Sequence, residues 1–267
     1  MSSKRLKRIV NEIKELQESK QILEQSGIYF HYDEDDMSKI YALLVGPENT
    51  PYEKGFYFFK FEYPPSYPME PPKATYCTQG ALPIPTKNNE ASKSTVNNVR
   101  FNPNLYVCGK VCLSMLNTWQ GPGWVPTNTI TNVMVAIQAL VLNEEPLRNE
   151  PGFENSDISI IKKYNEVIEY ANIKISVLNI VSNCPNEFLP FKPIIEELFI
   201  KYMPFYRNFI LTKNDVINNK LIESPAYGMK TIANYTNLFE EINTLEEVVL
   251  NNMTNDTIEK MEKMETK

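Results

Sequence analysis

The central part of the sequence contains the run Asn102-Pro-Asn-Leu-Tyr-Val-Cys-Gly-Lys-Val-Cys112, which is followed directly by Leu113. Pro103 fixes its own φ and biases Asn102 toward an extended backbone, while Gly109 permits a turn before the cysteine. The run therefore predicts a rigid loop that presents an asparagine and a cysteine together. Acyl transfer through a thiol requires this pair, because the thiol carries the acyl group and an amide donor stabilises the oxyanion.

This run resembles the active-site signature of the ubiquitin-conjugating enzymes, which is usually His-Pro-Asn, a short spacer, Gly and Cys-Leu. Further motifs of that family stand in the family's order on both sides of the run: Gly46-Pro47, Thr50-Pro51-Tyr52-Glu53-Lys54-Gly55, Tyr67-Pro68-Met69-Glu70-Pro71-Pro72, Trp124-Val125-Pro126 and Asn149-Glu150-Pro151-Gly152-Phe153-Glu154. The resemblance covers residues 4–154 and implies the ubiquitin-conjugating (UBC) fold. It is closest to the large, C-terminally extended branch, which includes enzymes charged by an atypical activating enzyme.

Periodic patterns along the chain predict an α+β fold. An amphipathic N-terminal helix is predicted from apolar residues at helical spacing, which are Leu6, Ile9, Val10, Ile13 and Leu16. Four β-prone stretches separated by Gly-Pro and Pro-Pro turns predict a four-stranded antiparallel meander over residues 28–32, 40–45, 56–63 and 73–78. Apolar residues from Ile130 to Val141 predict a further helix, so helix, strands and helices follow one another rather than alternating.

The chain of 267 residues divides into a predicted conjugating core, residues 1–154, and a helical C-terminal extension, residues 155–267. Helices are predicted at 162–181 and 193–209, and the apolar face of the first predicts that the extension packs on the core. The last ~14 residues are polar and charged and are expected to fray. Inside the core, the polar insertion 79–98 is interpreted as a mobile surface loop or as a lid beside the cysteine.

Composition and charge argue against several classes of protein. The net charge of −6 disfavours nucleic acid as the main partner, and no apolar run approaches the ~20 residues that span a bilayer. The four cysteines stand at irregular spacing, which does not suggest a disulfide framework, and the first residues lack the pattern of a secretory signal. The expected location is a reducing compartment, the cytoplasm or the nucleus, without a membrane partner.

Three positions carry the predicted chemistry. Cys112 is expected to accept the C-terminal carboxyl group of the modifier as a thioester. Asn104 either stabilises the oxyanion during aminolysis of that thioester or holds the loop in shape, and both roles stay open. The resemblance implies that Glu150 is an acidic residue that orients the incoming lysine, with Asn149 and Glu145 as alternatives.

The resemblance also implies surfaces for protein partners. The first helix of these enzymes docks on an acidic domain of the activating enzyme, which assigns this role to the basic cluster Lys4, Arg5, Lys7 and Arg8; a solvated helix face is the alternative. The two ligase-facing loops of the family correspond to Tyr63, Pro126 and Thr127. Asn102 stands where the family usually has histidine, and its amide is expected to brace the loop instead.

The predicted function is transfer of ubiquitin, or a ubiquitin-like modifier, from an activating enzyme to a protein substrate or a ligase. No metal or organic cofactor is implied, since Cys108 and the single histidine, His31, are too few for a zinc site. The main alternative is a noncatalytic ubiquitin-binding scaffold on the same fold, a class that lacks the cysteine. A cysteine hydrolase is disfavoured, because His31 lies far upstream of any thiol that it would activate.

Overall fold

The first half of the chain forms two helices and one antiparallel sheet. The structure is a computed structural model and describes residues 3–33, 35–85 and 91–265. The helices are α1 (Ser3–Glu18) and α2 (Lys20–Gln25), and the strands are β1 (Ile28–Tyr32), β2 (Lys39–Val45), β3 (Phe56–Glu62) and β4 (Lys73–Tyr76). The strands lie in the order β1-β2-β3-β4, so the predicted four-stranded meander is confirmed.

The segment between the sheet and the cysteine loop contains two further strands. β5 (Ala81–Pro85) and β6 (Ala91–Asn98) pair antiparallel, so most of the segment predicted as an inserted loop is a hairpin. The side-chain amide of Asn97 donates to the carbonyl oxygen of Lys230 at 3.0 Å, which joins this hairpin to the C-terminal part of the chain. Residues 86–90, between the two strands, lie outside the described residues.

Helices follow the cysteine loop, as the sequence predicts. α3 (Ile130–Ala136) begins at a capping box in which Thr129 and Asn132 exchange hydrogen bonds, and it continues as a π-helical turn over Ile137–Val141. The predicted helix over residues 130–141 is confirmed. The α+β class follows, because helices stand before and after the sheet instead of alternating with its strands.

The C-terminal part of the chain is mainly helical. α4 (Ile158–Ala171) continues through π-helical geometry over Asn172–Asn179 into α5 (Ile180–Ser182). Then come α6 (Lys192–Ile217), a hairpin of β7 (Lys220–Glu223) and β8 (Lys230–Ala233), and α7 (Tyr235–Glu265). The stretch that the sequence analysis expects to fray is therefore helical as far as Glu265. Within the described ranges, no helix is both long and apolar enough to cross a membrane.

The C-terminal helices contact both faces of β3. Phe188 stacks on Phe58 with 4.2 Å between the ring centroids. The neighbouring Tyr57 points to the opposite face, because side chains alternate along a strand, and its hydroxyl donates to Asn172 Oδ1 at 2.6 Å. The hydroxyl of Tyr206 donates to the carbonyl oxygen of Lys54 at 2.7 Å. The helices beyond residue 154 thus share one core with the sheet.

A buried carboxylate joins α1 to the segment after β3 and to the first residue of α3. Glu12 is 2% exposed and accepts hydrogen bonds from Arg8 Nε at 2.5 Å, from the backbone nitrogen of Ile130 at 3.1 Å and from the hydroxyl of Tyr67. Burial, together with this carboxylate, raises the pKa of Tyr67 above its ordinary value, so the phenol remains a donor. Because a buried charge is stable only when its hydrogen bonds are satisfied, this network fixes α1 in place.

Candidate active site around Cys112

The loop that carries Cys112 is a narrow antiparallel turn. Leu105 forms a bridge with Val111, and the backbone nitrogen of Cys112 donates to the carbonyl oxygen of Asn104 at 2.8 Å. Gly109, at the end of the turn, has a φ of +88°, a conformation that favours glycine. The run therefore folds as the rigid loop that its sequence predicts, and Asn104 and Cys112 lie side by side across it.

Asn102 braces the loop from within the core. Its Nδ2 donates to the carbonyl oxygen of Val141 at 2.7 Å and to the hydroxyl of Tyr52 at 3.1 Å. Its Oδ1 accepts from the backbone nitrogen of Asn104 at 2.8 Å. An amide has both donors and an acceptor, so Asn102 performs the bracing that the sequence analysis expects of it.

Asn104 connects the two sides of the loop through its side chain. It is 6% exposed, and its Nδ2 donates to the carbonyl oxygen of Cys112 at 2.7 Å. Its Oδ1 is buried and has no hydrogen-bond partner within the part of the chain that the structure describes. One hydrogen of the Asn104 amide thus bonds across the loop, and the second hydrogen on the same nitrogen is a further donor. Both roles left open by the sequence fit this geometry.

An open cavity of about 880 Å³ lies beside the cysteine. Cys112 itself is 2% exposed, while its neighbour Leu113 lines the cavity together with Asn104. Trp119 and Leu140 supply apolar surface on the same wall and both are exposed to solvent.

The acidic residues after α3 differ in what their carboxylates contact. Glu145 accepts from Arg148 Nε at 2.6 Å, and Glu150 accepts a hydrogen bond from the hydroxyl of Tyr227. Asn149 and Glu154 line the cavity beside Asn104, and Glu154 Oε2 also accepts from the backbone nitrogen of Gly152 at 2.8 Å. Of the candidates that the sequence analysis considers, Asn149 therefore faces the cavity, and Glu154 is a carboxylate there that it did not consider.

The four residues of the predicted basic cluster on α1 occupy different environments. Lys4 and Lys7 are exposed, whereas Arg5 is only 8% exposed and donates to the carbonyl oxygen of Tyr63 at 2.6 Å. Arg8 is half-buried, and its guanidinium pairs with the carboxylate of Glu12, one turn further along the helix. Arg5 therefore points at the turn after β3, and its assignment to a docking surface stays a prediction.

The predicted ligase-facing residues also differ in their exposure to solvent. Tyr63 is 4% exposed, with its ring centroid 4.5 Å from that of Tyr67, and its assignment as a partner-facing aromatic stays a prediction. Pro126 and Thr127 are exposed. Trp124 Nε1 donates to the carbonyl oxygen of Pro68 at 2.7 Å, which joins the segment before α3 to the segment between β3 and β4.

The remaining thiols do not assemble into a site. Burial raises the pKa of Cys77 and of Cys184 to about 11, so both are protonated at neutral pH. Cys108 is exposed at the tip of the cysteine loop, and all four cysteines are unpaired. Among the residues that the structure describes, no group of three or more His, Cys, Asp or Glu side chains is arranged to hold a metal ion.

Two residues near the loop escaped the sequence analysis. The Arg100 guanidinium lies over the ring of Tyr227 beside the loop, with 4.3 Å from the guanidinium carbon to the ring centroid. Arg100 stands just ahead of the run, so its position in the sequence was the one feature that could have connected it with the site. Tyr227 is too distant in the chain for any local pattern to connect it with the cysteine.

Comparison with known proteins identifies the family. The family model described as ubiquitin-conjugating enzyme matches residues 8–172. The chain is 35% identical over 238 residues to ubiquitin-conjugating enzyme E2 Z of Homo sapiens, covering 87% of this chain and 61% of that protein. It is 40% identical over 184 residues to ubiquitin-conjugating enzyme E2 Z of Xenopus tropicalis, covering 67% and 53%. The chain thus spans about three fifths or less of the length of these relatives. It belongs to the ubiquitin-conjugating enzyme family and carries a helical extension beyond the matched residues.

Proposed function

We propose that the protein accepts ubiquitin, or a ubiquitin-like modifier, as a thioester on Cys112 and transfers it to a lysine or to a ligase cysteine. The observation that carries this proposal is the pairing of Asn104 with Cys112 across one rigid loop beside an open cavity. The presence of the thiol favours transfer over the noncatalytic scaffold, because proteins of that class lack the cysteine.

The proposed reaction has two acyl transfers. The thiolate of Cys112 attacks the thioester that joins the modifier to the activating enzyme, and the thiolate of that enzyme leaves. An acceptor amine then attacks the thioester on Cys112, the Cys112 thiolate leaves, and the amine loses a proton. Negative charge develops on the thioester carbonyl oxygen as the amine attacks, and the Asn104 amide, which donates to the backbone carbonyl oxygen of Cys112 at 2.7 Å, is the proposed donor to it. ATP is consumed only by the activating enzyme.

A charging reaction tests the function directly. The protein is mixed with ATP, a panel of activating enzymes and a panel of modifiers, and the products are resolved on nonreducing gels. We expect a conjugate that one or more pairs produce and that disappears when reductant is added, because a thioester is cleaved by thiols. Samples without ATP are the control. If no pair yields a reductant-sensitive conjugate, the noncatalytic scaffold replaces this proposal.

We propose that Lys4 and Lys7, two exposed lysines of α1, dock on an acidic surface of the activating enzyme. Lys4→Glu combined with Lys7→Glu should slow charging several-fold at low salt, since opposite charges steer association. Discharge from preloaded protein to free lysine should not change. Lys20→Glu, an exposed lysine on α2, is the matched control. Unchanged charging at low salt in the double variant would indicate that these lysines form only a solvated helix face.

Pro126 and Thr127 remain our candidates for the ligase-facing surface.

We propose Glu154 as the carboxylate that orients the acceptor lysine, since it lines the cavity beside Asn104 while Glu150 binds Tyr227. Glu154→Gln should slow discharge to free lysine by roughly 10²–10⁴-fold, because a positioned base contributes on that order. Glu150→Gln should have the smaller effect, measured on preloaded protein in single-turnover reactions. The reverse order of the two effects would restore Glu150 to this role.

A further inference from the structure

We propose that Tyr227, in the C-terminal extension, is a positioning residue for the transfer reaction, which it serves by holding Arg100 against the cysteine loop. This inference rests on the proposed function. Tyr227 lies in the turn between β7 and β8, outside the residues that match the family model. The extension would then be part of the catalytic apparatus as well as part of the core.

The first step of the argument is the position of the Arg100 side chain. Its guanidinium carbon lies 3.8 Å from the ring centroid of Tyr106 and 4.3 Å from that of Tyr227, so the cation is sandwiched between two aromatic faces. Tyr106 belongs to the cysteine loop and Tyr227 belongs to the extension. The side chain therefore bridges these two parts of the chain.

The second step connects Arg100 with the catalytic pair. Arg100 Nη2 donates to the carbonyl oxygen of Pro103 at 2.6 Å. That oxygen belongs to the peptide group that leads into Asn104, and the Asn104 amide donates to the carbonyl oxygen of Cys112. A continuous series of contacts thus runs from Tyr227 through Arg100 and Pro103 to the asparagine. A small displacement of a catalytic group is enough to slow a reaction strongly.

The third step is that contacts from the core and from the extension hold Tyr227 itself in place. Its φ is +62°, a conformation that residues other than glycine rarely adopt. Its hydroxyl donates to the carboxylate of Glu150, and its ring meets that of Tyr164 edge-on at 6.4 Å. The backbone of Arg100 is held as well. Its nitrogen donates to the sulfur of Met229 at 3.1 Å, and its carbonyl oxygen accepts from the hydroxyl of Tyr164 at 2.7 Å.

The position of the guanidinium depends strongly on the two rings. Arg100 Nε is buried and has no hydrogen-bond partner among the described residues, so Nη2 and the aromatic faces hold the group. Removing the ring of Tyr227 would admit water to one face of the cation. Water would then compete for the guanidinium hydrogens, weaken the bond to Pro103 and loosen the peptide that carries Asn104.

The experiment compares Tyr227→Ala with Tyr227→Phe in the full chain. We expect Tyr227→Ala to discharge to free lysine about tenfold more slowly while its charging rate stays within about twofold of the parent. Tyr227→Phe keeps the face over Arg100 and should restore most of the lost rate. Arg100→Lys keeps the charge but loses the guanidinium fork, and should behave like Tyr227→Ala. Tyr202→Ala, which removes a tyrosine from α6, is the matched control.

A second readout does not depend on the modifier. The rate at which iodoacetamide alkylates Cys112, followed on its own peptide by mass spectrometry, should rise several-fold in Tyr227→Ala, because a looser loop exposes a thiol that is now buried. Unchanged alkylation and discharge in Tyr227→Ala would overturn the inference, and so would an equal loss in Tyr227→Phe. Failure of the parent protein to charge would instead overturn the proposed function, with the alkylation result still deciding whether Tyr227 holds the loop.

Discussion

Cys112→Ala is expected to form no conjugate with any modifier, whereas Cys112→Ser is expected to form one that survives reductant. The alanine has no nucleophile, and the serine hydroxyl gives an oxygen ester, which thiols cleave far more slowly than a thioester. The serine conjugate should accumulate, since the weaker leaving ability of an alkoxide slows its discharge to lysine. Nonreducing and reducing gels run in parallel on both variants measure this difference.

The matched control for this result is Cys108→Ala. Cys108 lies on the same loop but is exposed at its tip, on the far side of the Leu105–Val111 bridge from Cys112. Its removal leaves the pairing of Asn104 with Cys112 untouched, so the reductant-sensitive conjugate should persist. A conjugate that survives in Cys112→Ala and disappears in Cys108→Ala would show that the wrong cysteine has been assigned.

Asn104→Ala should slow discharge to free lysine by about 10²–10³ while charging of Cys112 persists, since loss of one oxyanion donor costs about that much in acyl transfer. Single-turnover discharge of preloaded protein, with a separate measurement of charging, provides the comparison. The structure adds a complication, because the same amide also donates to the carbonyl oxygen of Cys112. The variant therefore loses a loop contact as well as a donor.

Two controls separate these effects of Asn104. Asn98→Ala removes an exposed asparagine just ahead of the loop and should discharge at the parental rate. The alkylation rate of Cys112 reports whether the loop has loosened. Slow discharge with unchanged alkylation supports oxyanion stabilisation, whereas equal losses of charging and discharge with faster alkylation would make Asn104 a purely structural residue.

The cysteine loop is the part of the site that sequence reasoning predicted best. Pro103 and Gly109 act on their own backbone angles, and Asn102 meets the backbone of Asn104 two residues along the chain. Such local effects are visible in the sequence alone. The burial of Arg5 and Tyr63 was not visible in the sequence, because it depends on the helix and the turn that carry them facing each other.

The sequence by itself determined the α+β class, the order of the core helices and strands, and the loop that pairs Asn104 with Cys112. These features depend on spacing and on backbone preferences that act over a few residues. Only the tertiary structure decided that Glu154 faces the cavity, that residues 79–98 contain a hairpin, and that Tyr227 reaches Arg100. Each of these depends on contacts between residues far apart in the chain, where packing selects the geometry and local pattern carries no information about it.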